Sequence, residues 1–186
     1  MFDTSWLRSV KKTYTLKKIN RQQIISLCAP LQHKAKKIIF SLQRDEDQKN
    51  SLQILYKEFL TLIKKFSYER LTQEATFRSA LEEYLEAVFF STILQKEKIS
   101  GITKLKIEPD IYLGALSDVT GELVRKVTNL AAEGNFSEAK QLILVGKNII
   151  SELLEFDMTG NLRTKYDQAR NNLRKLEQLN YEISTL

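Results

Sequence analysis

Punctuation is what this chain lacks. Its 186 residues contain two prolines, Pro30 and Pro109, and six glycines that stand singly at 101, 114, 121, 134, 146 and 160. A β-sandwich or barrel turns every few residues and needs many more turn formers. Nucleotide-binding folds need glycines clustered between a strand and a helix. Long helices remain. Hydrophobic residues at 42% and charged residues at 28% suffice for a core without a covalent staple. One cysteine, Cys28, excludes an internal disulfide and a paired-cysteine zinc site. One histidine, His33, excludes the two- and three-histidine metal centres, and with Pro30 three residues before it there is no Glu-x-x-His pair. The first residues lack the apolar segment of a signal peptide, and no 18-residue apolar run exists. The expected compartment is therefore the cytoplasm, with no membrane partner.

Helical periodicity supplies the fold class. Ile24, Leu27, Leu31, Ile38 and Leu42 mark one face of a helix from Asn20 to Arg44, which Pro30 is expected to kink or split. Asp45 and Asp47 offer an N-cap for a second helix striped by Leu52, Leu55, Phe59, Leu62, Ile63 and Phe66. A third runs from about Leu71 to Lys98, with Phe77, Leu81, Leu85, Val88, Phe89 and Thr92 on one side. After a connector at 102–108, Pro109 opens a fourth helix and Gly134 closes it. A fifth reaches about Phe156. The last carries Leu162, Tyr166, Leu173, Leu176, Leu179 and Ile183 almost to the end. The expected architecture is a single all-α domain over residues 1–186, a bundle of six or seven helices. Cys28 reads as a small core residue, His33 as a surface residue, Trp6 as a docking anchor, and Tyr112 and Tyr181 as core aromatics.

Charge is unevenly distributed. Residues 1–44 hold ten basic side chains and one acid, Asp3, a net +9, whereas the whole chain carries +6. A basic segment beside a slightly acidic remainder is the footprint of a phosphate-backbone binder, although a solvated lysine-rich helix face has the same composition.

Two groups of carboxylates stand among apolar neighbours. Glu83 and Glu86 are i,i+3 within Leu81-Glu82-Glu83-Tyr84-Leu85-Glu86-Ala87-Val88, so they share a helix face. Asp118 and Glu122 are i,i+4, and Arg125 and Asn129 extend their stripe. Gly121 inside this helix costs up to about 1 kcal/mol relative to Ala; it suits a place where another backbone or a substrate passes. If the two helices pack together, four carboxylates converge, a hard-oxygen donor set suited to Mg²⁺ or Mn²⁺. Acidic pairs at these spacings are also common structural ion-pair partners, here Asp118 with Arg125 and Glu86 with a lysine, and spacing alone favours that second reading.

At these residues the sequence resembles the translin family, which includes translin and TRAX. The resemblance is carried by Tyr112-Leu113-Gly114 through Asp118-Val119-Thr120-Gly121-Glu122-Leu123-Val124-Arg125, with Asn129 and Gly134 following. It is carried again by Lys165-Tyr166-Asp167, Arg174-Lys175-Leu176-Glu177 and Tyr181-Glu182-Ile183-Ser184. Translin-type chains bind single-stranded nucleic acid without an acidic constellation; TRAX-type chains carry one and cleave RNA endonucleolytically with a metal. Glu83, Glu86, Asp118 and Glu122 match the TRAX-type acids. The resemblance therefore implies a metal-dependent endoribonuclease acting on single-stranded RNA, with Mg²⁺ or Mn²⁺ held by these four. Glu122 would be a further ligand or general base. It implies a homo-oligomer, an octamer, that also accepts a translin-type partner.

Arg21, Lys36, Lys37, Arg44 and Arg78 are the expected RNA contacts, indifferent to base because no RRM or KH signature is present. The family's Ser-Arg step and second Ser are replaced by Cys28-Ala29-Pro30 and Ala35. The rival readings are a non-catalytic single-stranded RNA- or DNA-binding protein of translin type, and a scaffold whose basic segment contacts acidic proteins.

Overall fold

The computed structural model describes residues 3–101 and 105–185. Among these there are seven helices and no strand: α1 Thr4–Leu42, α2 Lys49–Phe66, α3 Tyr68–Leu71, α4 Ala75–Leu94, α5 Pro109–Ala132, α6 Phe136–Leu154 and α7 Gly160–Ser184. The all-α expectation holds.

Three boundaries differ from the periodicity. α1 begins at Thr4 rather than near Asn20, because Asp3 caps it by accepting from the backbone N–H groups of Ser5 and Trp6 at 2.9 and 3.2 Å. It also runs unbroken through Pro30, which removes one backbone donor without ending the helix. The expected third helix is interrupted at 72–74, leaving α3 as a single turn before α4. The α2 cap is Gln48, not an aspartate: Asp47 accepts from Lys49 N, while Asp45 turns away with φ +62° and pairs with Lys126. The end of α5 follows the sequence closely. Gly134 has φ +78°, its N–H donates to Ala131 O, and Asn135 N donates to Leu130 O, a Schellman ending.

α4 lies at the centre, packed against α1 on one side and α5 on the other; α5 in turn packs on α6 and α7, and α2 covers part of α1 and α4. α4 is buried almost all round: Phe77, Leu81, Leu85, Phe89 and Phe90 are at most 1% exposed. Each such side chain contributes about 1.5–3 kcal/mol. α6 and α7 approach where a Cβ on Gly146 would stand 2.5 Å from Leu176 Cδ1, so glycine is what admits that leucine. Leu27, expected in the core, is 40% exposed, and Trp6 and Tyr181, expected to dock or pack, are 68% and 70% exposed. Tyr112 is half-buried against Phe89, ring centroids 5.0 Å apart. Cys28 is fully buried, and burial pushes its thiol up to about 11; His33 is exposed. No described helix is long and apolar enough to cross a membrane.

Candidate functional site

Because α4 is apolar around most of its girth, its few carboxylates emerge along a seam facing α5 and the neighbouring faces of α1 and α7. Glu83 faces Lys36 of α1, Oε2 to Nζ 3.7 Å. Glu122 of α5 accepts from Gln43 Nε2 at 2.7 Å, and the same amide donates to the Glu122 backbone carbonyl at 2.9 Å. Arg125, one turn on, reaches Glu122 at 3.0 Å. Gln43 is itself held over α5 by Lys126, a 2%-exposed lysine whose Nζ lies 2.6 Å from both Asp45 oxygens and 3.4 Å from the Gln43 carbonyl. Asp118 and Glu82 share one cation, the Lys165 ammonium of α7. Among the described residues no ion pair reaches Glu86.

The electrostatics follow from this crowding. Burial raises the Glu86 carboxyl from 4.5 to about 9, and the charges of Asp118, Glu83 and Glu122 push the same way against a weaker pull from Lys165. Burial also raises Glu83; Lys36 and Gln32 lower it, while Asp118 and Glu122 raise it. Glu82 is raised chiefly by burial, against Lys165. For Lys165 burial opposes the charged form, but the hydrogen bonds its ammonium donates to Asp118 and Glu82, with their charges, outweigh it and the net shift is upward. Across the α4–α5 packing, Glu83 and Glu86 thus feel the charges of Asp118 and Glu122.

The ion-pair partners differ from the simple expectation. Arg125 binds Glu122 rather than Asp118, because i,i+3 places it nearer; Asp118 goes to Lys165 across the bundle. Glu86 has no lysine partner among the described residues. No backbone passes close to Gly121: a Cβ there would meet Asn172 Nδ2 at an ordinary 3.5 Å. The close approach is at Gly114, where a Cβ would stand 2.8 Å from Glu82 Oε1.

The basic residues are spread along the molecule. Lys36 and Lys37 are exposed on α1, Lys36 beside the carboxylate seam. Arg44 lies 4.5 Å over the Phe40 ring and 2.8 Å from Glu46. Arg21 pairs with the buried Glu74 at 3.3 Å, and Arg78 with Asp110 at the start of α5. Of these five, Lys36 alone pairs with an acid of the seam among the described residues.

The Translin family sequence pattern matches residues 19–185. The chain belongs to the translin family. An uncharacterized protein of Methanocaldococcus jannaschii is 26% identical over 166 residues, covering 83% of this chain and 72% of that protein. The crystal structure of AfC3PO aligns with TM-score 0.82 at 20% identity over 96% of this chain and 97% of that one. The structure of an AfC3PO complex with duplex RNA aligns at 0.84 and 21% over 96% of each chain. The crystal structure of apo-NeC3PO aligns at 0.78 and 26%, over 95% and 96%. The helical bundle is thus the translin fold.

In this translin-family chain the donor set suits a hard divalent cation: carboxylate oxygens without sulfur or imidazole, one of them, Glu86, pushed toward the neutral form by burial and then by its neighbours' charges. As the side chains stand, no three carboxylate, histidine or cysteine groups among the described residues are arranged to hold a metal ion. Sequence reasoning missed Glu82, Lys165 and Gln43 as members of the seam. The available signal was Gly114, a glycine in a helix at the level where Glu82 needs space.

Proposed function

We propose that this translin-family chain is a metal-dependent endoribonuclease that cuts single-stranded RNA within an oligomeric translin/TRAX-like assembly. The observation that carries the reading is Glu86. An acid whose charge is opposed by burial and by three neighbouring carboxylates destabilises the metal-free fold, and a divalent cation relieves all four at once. Glu83, Glu86 and Asp118 would hold one or two Mg²⁺ or Mn²⁺ ions, with Glu122 as a further ligand or general base. Such a cation would polarise a phosphodiester and make water a better nucleophile there.

The remaining work falls to the protein's own groups. Lys36, 3.7 Å from Glu83, and its neighbour Lys37 place a backbone phosphate next to the acids. Gln43 and Arg125 fix the Glu122 carboxylate, leaving it poised to accept a proton from attacking water. Arg21, Arg44 and Arg78 extend the contact along the strand. The known complex of AfC3PO with duplex RNA supports a nucleic-acid role for the shared fold. The N-terminal part of α1 supports self-association: Trp6, Val10 and Tyr14 continue the helical face that carries Ile24 and Cys28 into the core, yet they are exposed. A homo-octamer, open to a translin-type partner, is the assembly proposed.

One observation favours the rival, a non-catalytic strand binder: the acids are not preset for a metal. The deciding experiment is RNA cleavage in Mg²⁺ or Mn²⁺ by wild type and Glu86→Gln. Metal-dependent cleavage by wild type alone supports the enzyme; RNA binding without cleavage by either supports the rival. Light scattering during gel filtration reads the assembly, and a monomer at micromolar concentration refutes it.

A further inference from the structure

The Glu82–Lys165–Asp118 triad ties three helices together at the edge of the seam. Lys165 comes from α7, Glu82 from α4 and Asp118 from α5, and both carboxylates contact the one ammonium. Its side chain and that of Glu82 are each 19% exposed, so the pair is largely shielded from water. Glu82 reaches the ammonium only because Gly114 has no side chain; a Cβ there would lie 2.8 and 2.9 Å from Glu82 Oε1 and Cδ. The helix thus carries a glycine, a poor helix former, where the carboxylate needs the space.

We propose that Lys165, anchored by Glu82 in the space left at Gly114, is the positioning residue that fixes Asp118 for the seam. This rests on the metal reading above for its purpose, but not for its geometry. Asp118 contacts Lys165 through Oδ2, which leaves Oδ1 for a cation. Outer partners of this kind orient ligand carboxylates in metal sites. Glu82 cancels the lysine's charge, so the pair adds orientation without adding net repulsion toward a cation. A lysine serving only as a counter-charge to Asp118 would need neither Glu82 nor the glycine.

The charge neutrality of the pair gives a clean test. Glu82→Gln with Lys165→Met leaves net charge unchanged and removes the anchor. Mn²⁺ binding to the full chain, measured by titration calorimetry, is expected to weaken roughly 10- to 100-fold, with the helical circular dichroism retained. Lys165→Arg should keep most of the affinity. Unchanged Mn²⁺ affinity in the folded double variant overturns the proposal.

A second arm needs no metal. Gly114→Ala should lower the thermal midpoint in the wild-type background, where the new Cβ displaces Glu82, and lower it far less in a Glu82→Ala background. Equal shifts in both backgrounds overturn the proposal, and this pair decides it if the double variant fails to fold. If wild type binds no Mn²⁺, the metal reading falls, and the Gly114 comparison alone judges the triad.

Discussion

Replacing Glu86 by glutamine should make the metal-free protein more stable, by an amount that grows with pH. The carboxyl ionises near 4.5 in an unfolded chain and near 9 in the folded one. Between those values the folded chain holds a proton that the unfolded chain has released, so stability falls as pH rises through the window. The slope is about 1.4 kcal/mol per pH unit. From pH 4.5 to pH 7 this amounts to about 3 kcal/mol. Glu86 is not wholly sealed from water, so screening trims the figure. Below pH 4.5 both states are protonated and the contribution vanishes. Glutamine has nearly the same shape as the protonated acid and does not titrate. Urea unfolding of both proteins in chelator, at half-unit steps from pH 4.5 to 8, reads the difference directly. The two stability curves should diverge steadily as pH rises. Parallel curves would show that Glu86 is not held neutral by its surroundings, and the argument for a frustrated acid seam would collapse. Mn²⁺ should then close the gap by stabilising wild type more than the variant.

Three further outcomes are expected. Glu83→Gln and Asp118→Asn should each abolish RNA cleavage while gel-shift affinity stays level or improves, since a charge that repels phosphate is gone; lost binding would contradict a purely metal-holding role. Lys36→Ala with Lys37→Ala should weaken single-stranded RNA binding for every sequence and flatten the salt dependence by about 1.4 in slope for two phosphate contacts; a loss confined to one sequence would contradict phosphate positioning. Gly146→Ala should cost about 1–3 kcal/mol through overpacking against Leu176, offset in part by a helix-propensity gain of up to about 1 kcal/mol; a raised melting temperature would contradict the close approach of α6 and α7.

Much of the bundle could be read from spacing, because long amphipathic helices write their buried faces at three- and four-residue intervals. Pro109 at the start of α5 and Gly134 just past its end were legible for the same local reasons. α1 was harder. Its N-terminal half, Thr4 to about Gln23, is exposed and buries nothing within the chain, so core periodicity gave no reason to extend it back from Asn20. Trp6 and Tyr181 misled for a related reason: a large aromatic suggests burial, but not within which chain. The acid seam could be foreseen because i,i+3 and i,i+4 pairs on two helices meet if those helices pack. Its partners could not. Lys165 lies 47 residues from Asp118, and Gln43 lies 79 from Glu122, so these contacts depend on how three helices dock. Arg125 showed the limit of spacing alone, since two carboxylates on its own helix lay within reach and the nearer one took it.

The most direct test of the central claim is cleavage of a labelled single-stranded RNA by the purified chain in Mg²⁺. It is run with and without excess chelator, and beside Glu86→Gln at matched folding. The account predicts endonucleolytic products from wild type, none in chelator, and none from the variant, although the variant still binds the RNA. Cleavage that survives the chelator, or that Glu86→Gln performs at the wild-type rate, would contradict it.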